Sequence, residues 1–245
     1  MGVRVMDLGS ALGVALVGGL FGLAILIVLW PGERQGARLL AKWGLPRATP
    51  EQVGVAVRYL RRRRFWYPWL WVGLPLIPGA SGLADSSGLG TIVTVLLLGG
   101  LIAEVLAQRP APGPRREAVL APRGVLDFAP LWAIVVAGLA AVAAAVHLAV
   151  IGEWVLFAVT VASAAVAWGV VLLAVRRPAT GDPDVDLALR CRSARVALGL
   201  ATAACAVTAW PGGTLPSFLA FVVTLAAFIA IASPPRRLPA PATAK

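Results

Sequence analysis

Residues 9–30 run for 22 positions without a charged side chain, and this run is the first of several of similar length. About 20 apolar residues in a helix match the hydrocarbon thickness of a bilayer. In hydrocarbon the backbone must satisfy its own hydrogen bonds, so repeated runs of this kind predict an all-α membrane protein. Composition agrees: 59% of the 245 residues are apolar and 13% are charged. A soluble domain carries about a quarter charged residues, so a soluble fold is excluded.

The side of each run is read from the stretch Arg58–Trp71, RYLRRRRFWYPWLW. Four consecutive arginines abut Phe65, Trp66, Tyr67, Trp69 and Trp71, whose amphipathic rings settle where headgroups meet hydrocarbon. Arg61, Arg62, Arg63 and Arg64, with Trp66, Tyr67 and Trp69, are therefore the expected lipid-contacting residues. The net charge of +11 comes mainly from short loops between apolar runs, which points to orientation in a bilayer with anionic lipid and not to nucleic acid.

Counting outward gives a bundle of about seven transmembrane helices, with a cytoplasmic amphipathic helix after the first. The expected spans are Gly9–Trp30, Phe65–Ala84, Thr91–Gln108, Asp127–Val150, Trp154–Val175, Val196–Trp210 and Leu215–Ala232. Four regions follow: residues 1–30 with the first span, a basic loop at 31–64, three hairpins at 65–232, and a Pro/Arg tail at 233–245. Seven spans place 21 of the 22 basic residues on one side, leaving Arg4 on the other. That side is cytoplasmic by the positive-inside rule, so the N-terminus is expected outside the plasma membrane and the C-terminus inside. A lone Arg4 beside Asp7, with no small-x-small site after the run, favours a retained span over a cleaved signal.

Local signals fix several helix starts. Thr49-Pro-Glu-Gln52 has a hydroxyl cap, a proline in the first turn and a glutamine at the capping-box position. The helix that follows sets Val53, Val57 and Leu60 on one face, as a helix lying on the cytoplasmic surface would. Asp127 is placed to cap the fourth span, with Pro130 in its first turn. Asp182-Pro183 starts another helix, with Asp186 and Arg190 as an i,i+4 pair. The second run carries Pro68, Pro75 and Pro78, so it is expected to be kinked or broken; Pro75 and Pro78 could then line a path.

Glu104 is the one carboxylate these boundaries place inside a span, which makes it the leading intramembrane candidate, with Arg109 as its nearest partner in sequence. His147 and Glu153 flank an outer turn and could pair there. Cys191 and Cys205 lie about 20 Å apart along one helix and cannot pair with each other. One histidine and two dispersed cysteines offer no metal-ligand spacing, so no metal or cofactor is expected. HExxH, GxSxG and P-loop motifs are absent from the sequence, so no catalytic residue is assigned and the chain is not expected to be an enzyme.

Three stretches, LPRATPEQVGVAVRYLRRRRFW, RPAPGPRREAVLAPRGVLDFAPLWA and DVDLALRCRSARVALG, resemble a group of multi-spanning actinobacterial membrane proteins. The resemblance implies a polytopic membrane protein and no particular activity. Two function classes follow. One is a non-catalytic accessory or scaffold subunit, docking a membrane or cytoplasmic partner or forming a homo-oligomer. The alternative is a transporter or ABC-type permease subunit, its path lined by the proline-broken second span.

Overall fold

The computed structural model describes residues 8–28, 30–66, 68–69, 89–107, 124–177, 182–210 and 213–235. Among them every regular element is helical: α1 (Leu8–Val28), α2 (Glu33–Lys42), α3 (Pro50–Phe65), α4 (Leu89–Ala107), α5 (Leu131–Val150), α6 (Trp154–Arg176), α7 (Pro183–Ala209) and α8 (Leu215–Ala232). A 3-10 turn, Val125–Asp127, precedes α5.

Three of these helices, α5, α6 and α8, are long and apolar enough to cross a membrane. Their outward faces carry Leu139, Val142, Trp154, Phe218 and Val223 in the open, which water would penalise and hydrocarbon would not. Among the described residues the protein is all-helical, and these three apolar helices are those of a membrane protein.

Helix α7 is the centre. Its 27 residues, about 40 Å of helix, pack against α4, α5, α6 and α8, and at its start against α3. The small residues Ala194, Ala197, Ala201 and Ala204 are buried along it and let neighbouring helices approach closely. At Gly199 the approach is close, since a Cβ there would stand 3.1 Å from Ala232 Cβ and 3.2 Å from Phe228 Cδ2 of α8.

Cross-contacts fix the directions. Arg190, in the first half of α7, bonds Ala174 O at the end of α6; Arg195 bonds Ile231 O at the end of α8. Glu104 near the end of α4 meets Ser193, and Cys191 Sγ lies 3.6 Å from Asp127 O just before α5. At the opposite end His147 of α5 stacks on Trp210, the C-cap of α7. Helices α4 to α8 therefore alternate up and down, with the first half of α7 at the end that holds the charged residues.

Helices α2 and α3 form a hairpin docked on that end. At Gly36 the two are in contact, since a Cβ would stand 2.7 Å from Val57 Cγ2. The start of α3 is the reciprocal cap its sequence predicts: Thr49 N–H donates to Gln52 Oε1 at 2.8 Å, and Gln52 N–H to Thr49 Oγ1 at 3.4 Å. The face expected to lie on lipid does something else. Val53, Val57 and Leu60 pack with Leu40 of α2, Ala107 of α4, and Val185 and Leu189 of α7. Apolar area already buried on protein is not available to insert into a bilayer.

Two further expectations are corrected. Asp127 caps the 3-10 turn, accepting the Gly124 N–H at 2.7 Å, and α5 begins only at Leu131. The residue before a proline is pushed away from helical geometry, so Ala129 ahead of Pro130 separates the turn from the helix. The lead-in from Asp182 and the sixth span are one continuous helix, α7, along whose first half Asp186, Arg190, Arg192 and Arg195 each find a protein partner. The expected break in the second apolar run falls largely on residues 70–88, outside the described residues.

Candidate functional site

One stripe of α3 carries Gln52, Ala56, Tyr59 and Arg63, spaced so that all four face the same way. The stripe lies along the first half of α7, whose facing residues are Asp182, Val185, Leu189 and Arg192. Gln52 Nε2 donates to Asp182 Oδ2 at 2.8 Å, and about two turns further along α3 Tyr59 accepts a hydrogen bond from Arg192 Nη1, so the two helices run parallel. The Arg192 guanidinium also lies over the Tyr59 ring, 5.1 Å from its centre.

Into this contact α4 delivers Glu104, which has no exposed surface. Its Oε1 accepts from the Tyr59 hydroxyl and from Ser193 Oγ, the latter at 2.6 Å. Its Oε2 stands 2.8 Å from Arg63 Nε, an ion contact whose angle falls outside hydrogen-bond geometry, and Arg192 Nη1 is 3.6 Å from Oε1. One carboxylate thus draws together α3, α4 and α7. Burial pushes the Tyr59 phenol above its ordinary range; Arg192 opposes this and Glu104 adds to it, so the hydroxyl stays a donor at neutral pH.

Further contacts lie on other faces of α7. Asp186 accepts from Arg190 Nε and from Arg177 Nη2, both at 2.7 Å. Arg190 Nη1 also donates to Ala174 O and Arg177 O, each at 2.7 Å, and Arg195 Nε to Ile231 O at 2.9 Å. The last carbonyls of a helix lack intrahelical donors and carry the negative end of its dipole, so a guanidinium there both bonds and neutralises. Two arginines of α7 therefore cap α6 and α8 from the side.

Of the residues singled out from sequence, Glu104 and Arg63 are brought together, though Arg63 had been assigned to lipid. Arg61 bonds Pro31 O at 3.1 Å, while Arg62 and Arg64 are half-buried. Trp66 is half-buried with its ring edge-on to Phe65, and Trp69 is exposed beside the same ring. Tyr67, Pro75, Pro78 and Arg109 lie outside the described residues. His147 is stacked on Trp210, 4.5 Å between ring centres. Both cysteines are free and buried. Tyr59, Arg192 and Ser193 were missed, although the polar Gln52, Tyr59 and Arg63 at helical spacing along one stripe of α3 were a signal for the first of them.

The arrangement ties helices together through buried charged and polar contacts. Both oxygens of Glu104 are engaged by protein groups, and Asp186 is held between two guanidiniums. Among the described residues no three His, Cys, Asp or Glu side chains are grouped to bind a metal ion.

Among the described residues, fold and site together define a helical membrane protein cross-braced by buried arginine–carboxylate contacts at one end of its bundle. No known family model, curated protein or solved structure matches the chain.

Proposed function

We propose that the protein is a non-catalytic component of the plasma membrane, an accessory or scaffold subunit that holds a basic cytoplasmic hairpin, α2–α3, rigidly on a bundle of seven spans. The observation that carries this reading is Glu104. A transport or relay carboxylate must exchange a proton or ligand during turnover, whereas Glu104 is fully buried and spends both oxygens on Tyr59, Ser193, Arg63 and Arg192. Such a group serves as a brace between helices.

The alternation of α4 to α8 supports the orientation, because it sets Arg63, Arg177, Arg190, Arg192 and Arg195 at a single end of the bundle. By the positive-inside rule that end is cytoplasmic, with the N-terminus outside and the C-terminus inside. The hairpin then presents exposed Arg34, Arg38, Lys42, Arg47, Arg58 and Arg61 at the inner surface, suited to anionic lipid or to an acidic face of a membrane or cytoplasmic partner.

Purification in mild detergent tests the reading. The protein should emerge as a homo-oligomer or with a partner that hydrolyses no nucleotide. Stoichiometric recovery of an ATPase subunit would overturn it in favour of a permease.

A further inference from the structure

The four consecutive arginines of α3 do not share one task. Arg63 turns inward to Glu104. Arg61 is exposed, with its Nε donating to Pro31 O at 3.1 Å and its guanidinium carbon 5.6 Å from the centre of the Trp30 ring. A bond on one nitrogen and a ring against one face fix the orientation of the guanidinium. Among the described residues no carboxylate pairs with it.

Its surroundings are those of a bilayer boundary. Trp30 follows the end of α1 at Val28, and Phe65 opens the second apolar run one turn beyond Arg61, so the guanidinium sits where both runs leave the polar hairpin. Trp30 beside it is 43% exposed, and Phe65 and Trp69, about one to two turns further along the chain, are 47% and 61% exposed. Exposed aromatic rings at this level belong among headgroups, and the planar fork of an arginine matches two oxygens of a phosphate.

We propose that Arg61, oriented by Pro31 and Trp30, is a binding site for the phosphate of an anionic glycerophospholipid in the cytoplasmic leaflet. The proposal rests on the orientation given above, with Trp30 at the inner face. It also divides the arginine run, leaving Arg63 to the protein and Arg61 to the lipid.

The test is native mass spectrometry of the full-length protein in detergent micelles with equal amounts of phosphatidylglycerol and phosphatidylcholine. Wild type should retain phosphatidylglycerol preferentially. Arg61→Gln should cut that preference about fivefold, the factor set by one basic residue at an anionic surface. Trp30→Leu, which keeps the charge but removes the orienting ring, should also lower it, and Arg47→Gln, about 20 Å away beyond the start of α3, should not. Wild-type preference retained in Arg61→Gln, or no preference in wild type, overturns the proposal. Labelling of a cysteine at Glu33 by an impermeant reagent from outside would instead overturn the orientation on which the leaflet assignment depends.

Discussion

Arg63 of α3 and Glu104 of α4 stand 2.8 Å apart, nitrogen to oxygen, in a contact where the glutamate is wholly buried and the arginine side chain is 18% exposed. Breaking a buried pair from one side leaves an uncompensated charge and costs about 3–5 kcal/mol, more than the pair itself contributes. Glu104→Gln should therefore lower the unfolding temperature in detergent markedly. Combining it with Arg63→Gln should recover part of the loss, giving a coupling of about 0.5–3 kcal/mol. Strict additivity of the two changes would show that the contact is not a brace.

Arg195 reaches from α7 to Ile231 O and Ala230 O at the end of α8. Hydrogen bonds to a charged group are worth about 1.5–3 kcal/mol, and the carbonyl of the buried Ile231 would lose this donor. Arg195→Met should destabilise by about that amount and raise amide exchange in the last turn of α8. Unchanged exchange there would contradict the capping role.

Asp182 caps α7 and accepts the Gln52 amide, which holds its carboxyl below the ordinary aspartate value, with the Val185 and Asp184 N–H groups helping and slight burial opposing. A lowered value in the folded state means stability that is present above the unfolded value near pH 4 and lost as pH falls through the folded one. Asp182→Asn keeps a capping side chain but cannot titrate. Its unfolding temperature should fall less steeply than wild type below about pH 4. Parallel acid limbs would remove Asp182 from the α3–α7 tether.

The proposed orientation is checked by single cysteines in a background lacking Cys191 and Cys205. Positions Ser87 and Gly213 should label with an impermeant maleimide from outside, and Gly113 only after permeabilisation. The reverse pattern at any one of them contradicts seven spans with the N-terminus outside.

What the sequence made legible was short-range. Thr49-Pro-Glu-Gln52 and Asp182-Pro183 start helices as expected because a cap and its acceptor lie within one turn, and the limits of α8, Leu215–Ala232, match the apolar run. Asp127 misled because two adjacent starts compete, and the local turn takes the carboxylate. Glu104 was found through its isolation in an apolar run, but not its partners. Periodicity gives the face of a helix and not what that face meets, and Tyr59, Arg63, Arg192 and Ser193 come from two helices distant in the chain. The arginines of α7 were hidden differently: the rule that places basic residues at the inner end of a span places them equally well for capping neighbouring helices, so only the contacts of Arg190 and Arg195 separate the two roles.

The central claim, that Glu104 braces the bundle and does not carry a proton or solute, is tested most directly by flux in proteoliposomes, comparing wild type, Glu104→Gln and empty vesicles under an imposed pH gradient. The account predicts that neither protein exceeds empty vesicles, while Glu104→Gln differs from wild type in unfolding temperature alone. Proton or solute flux by wild type above empty vesicles, abolished in a folded and inserted Glu104→Gln protein, would contradict it.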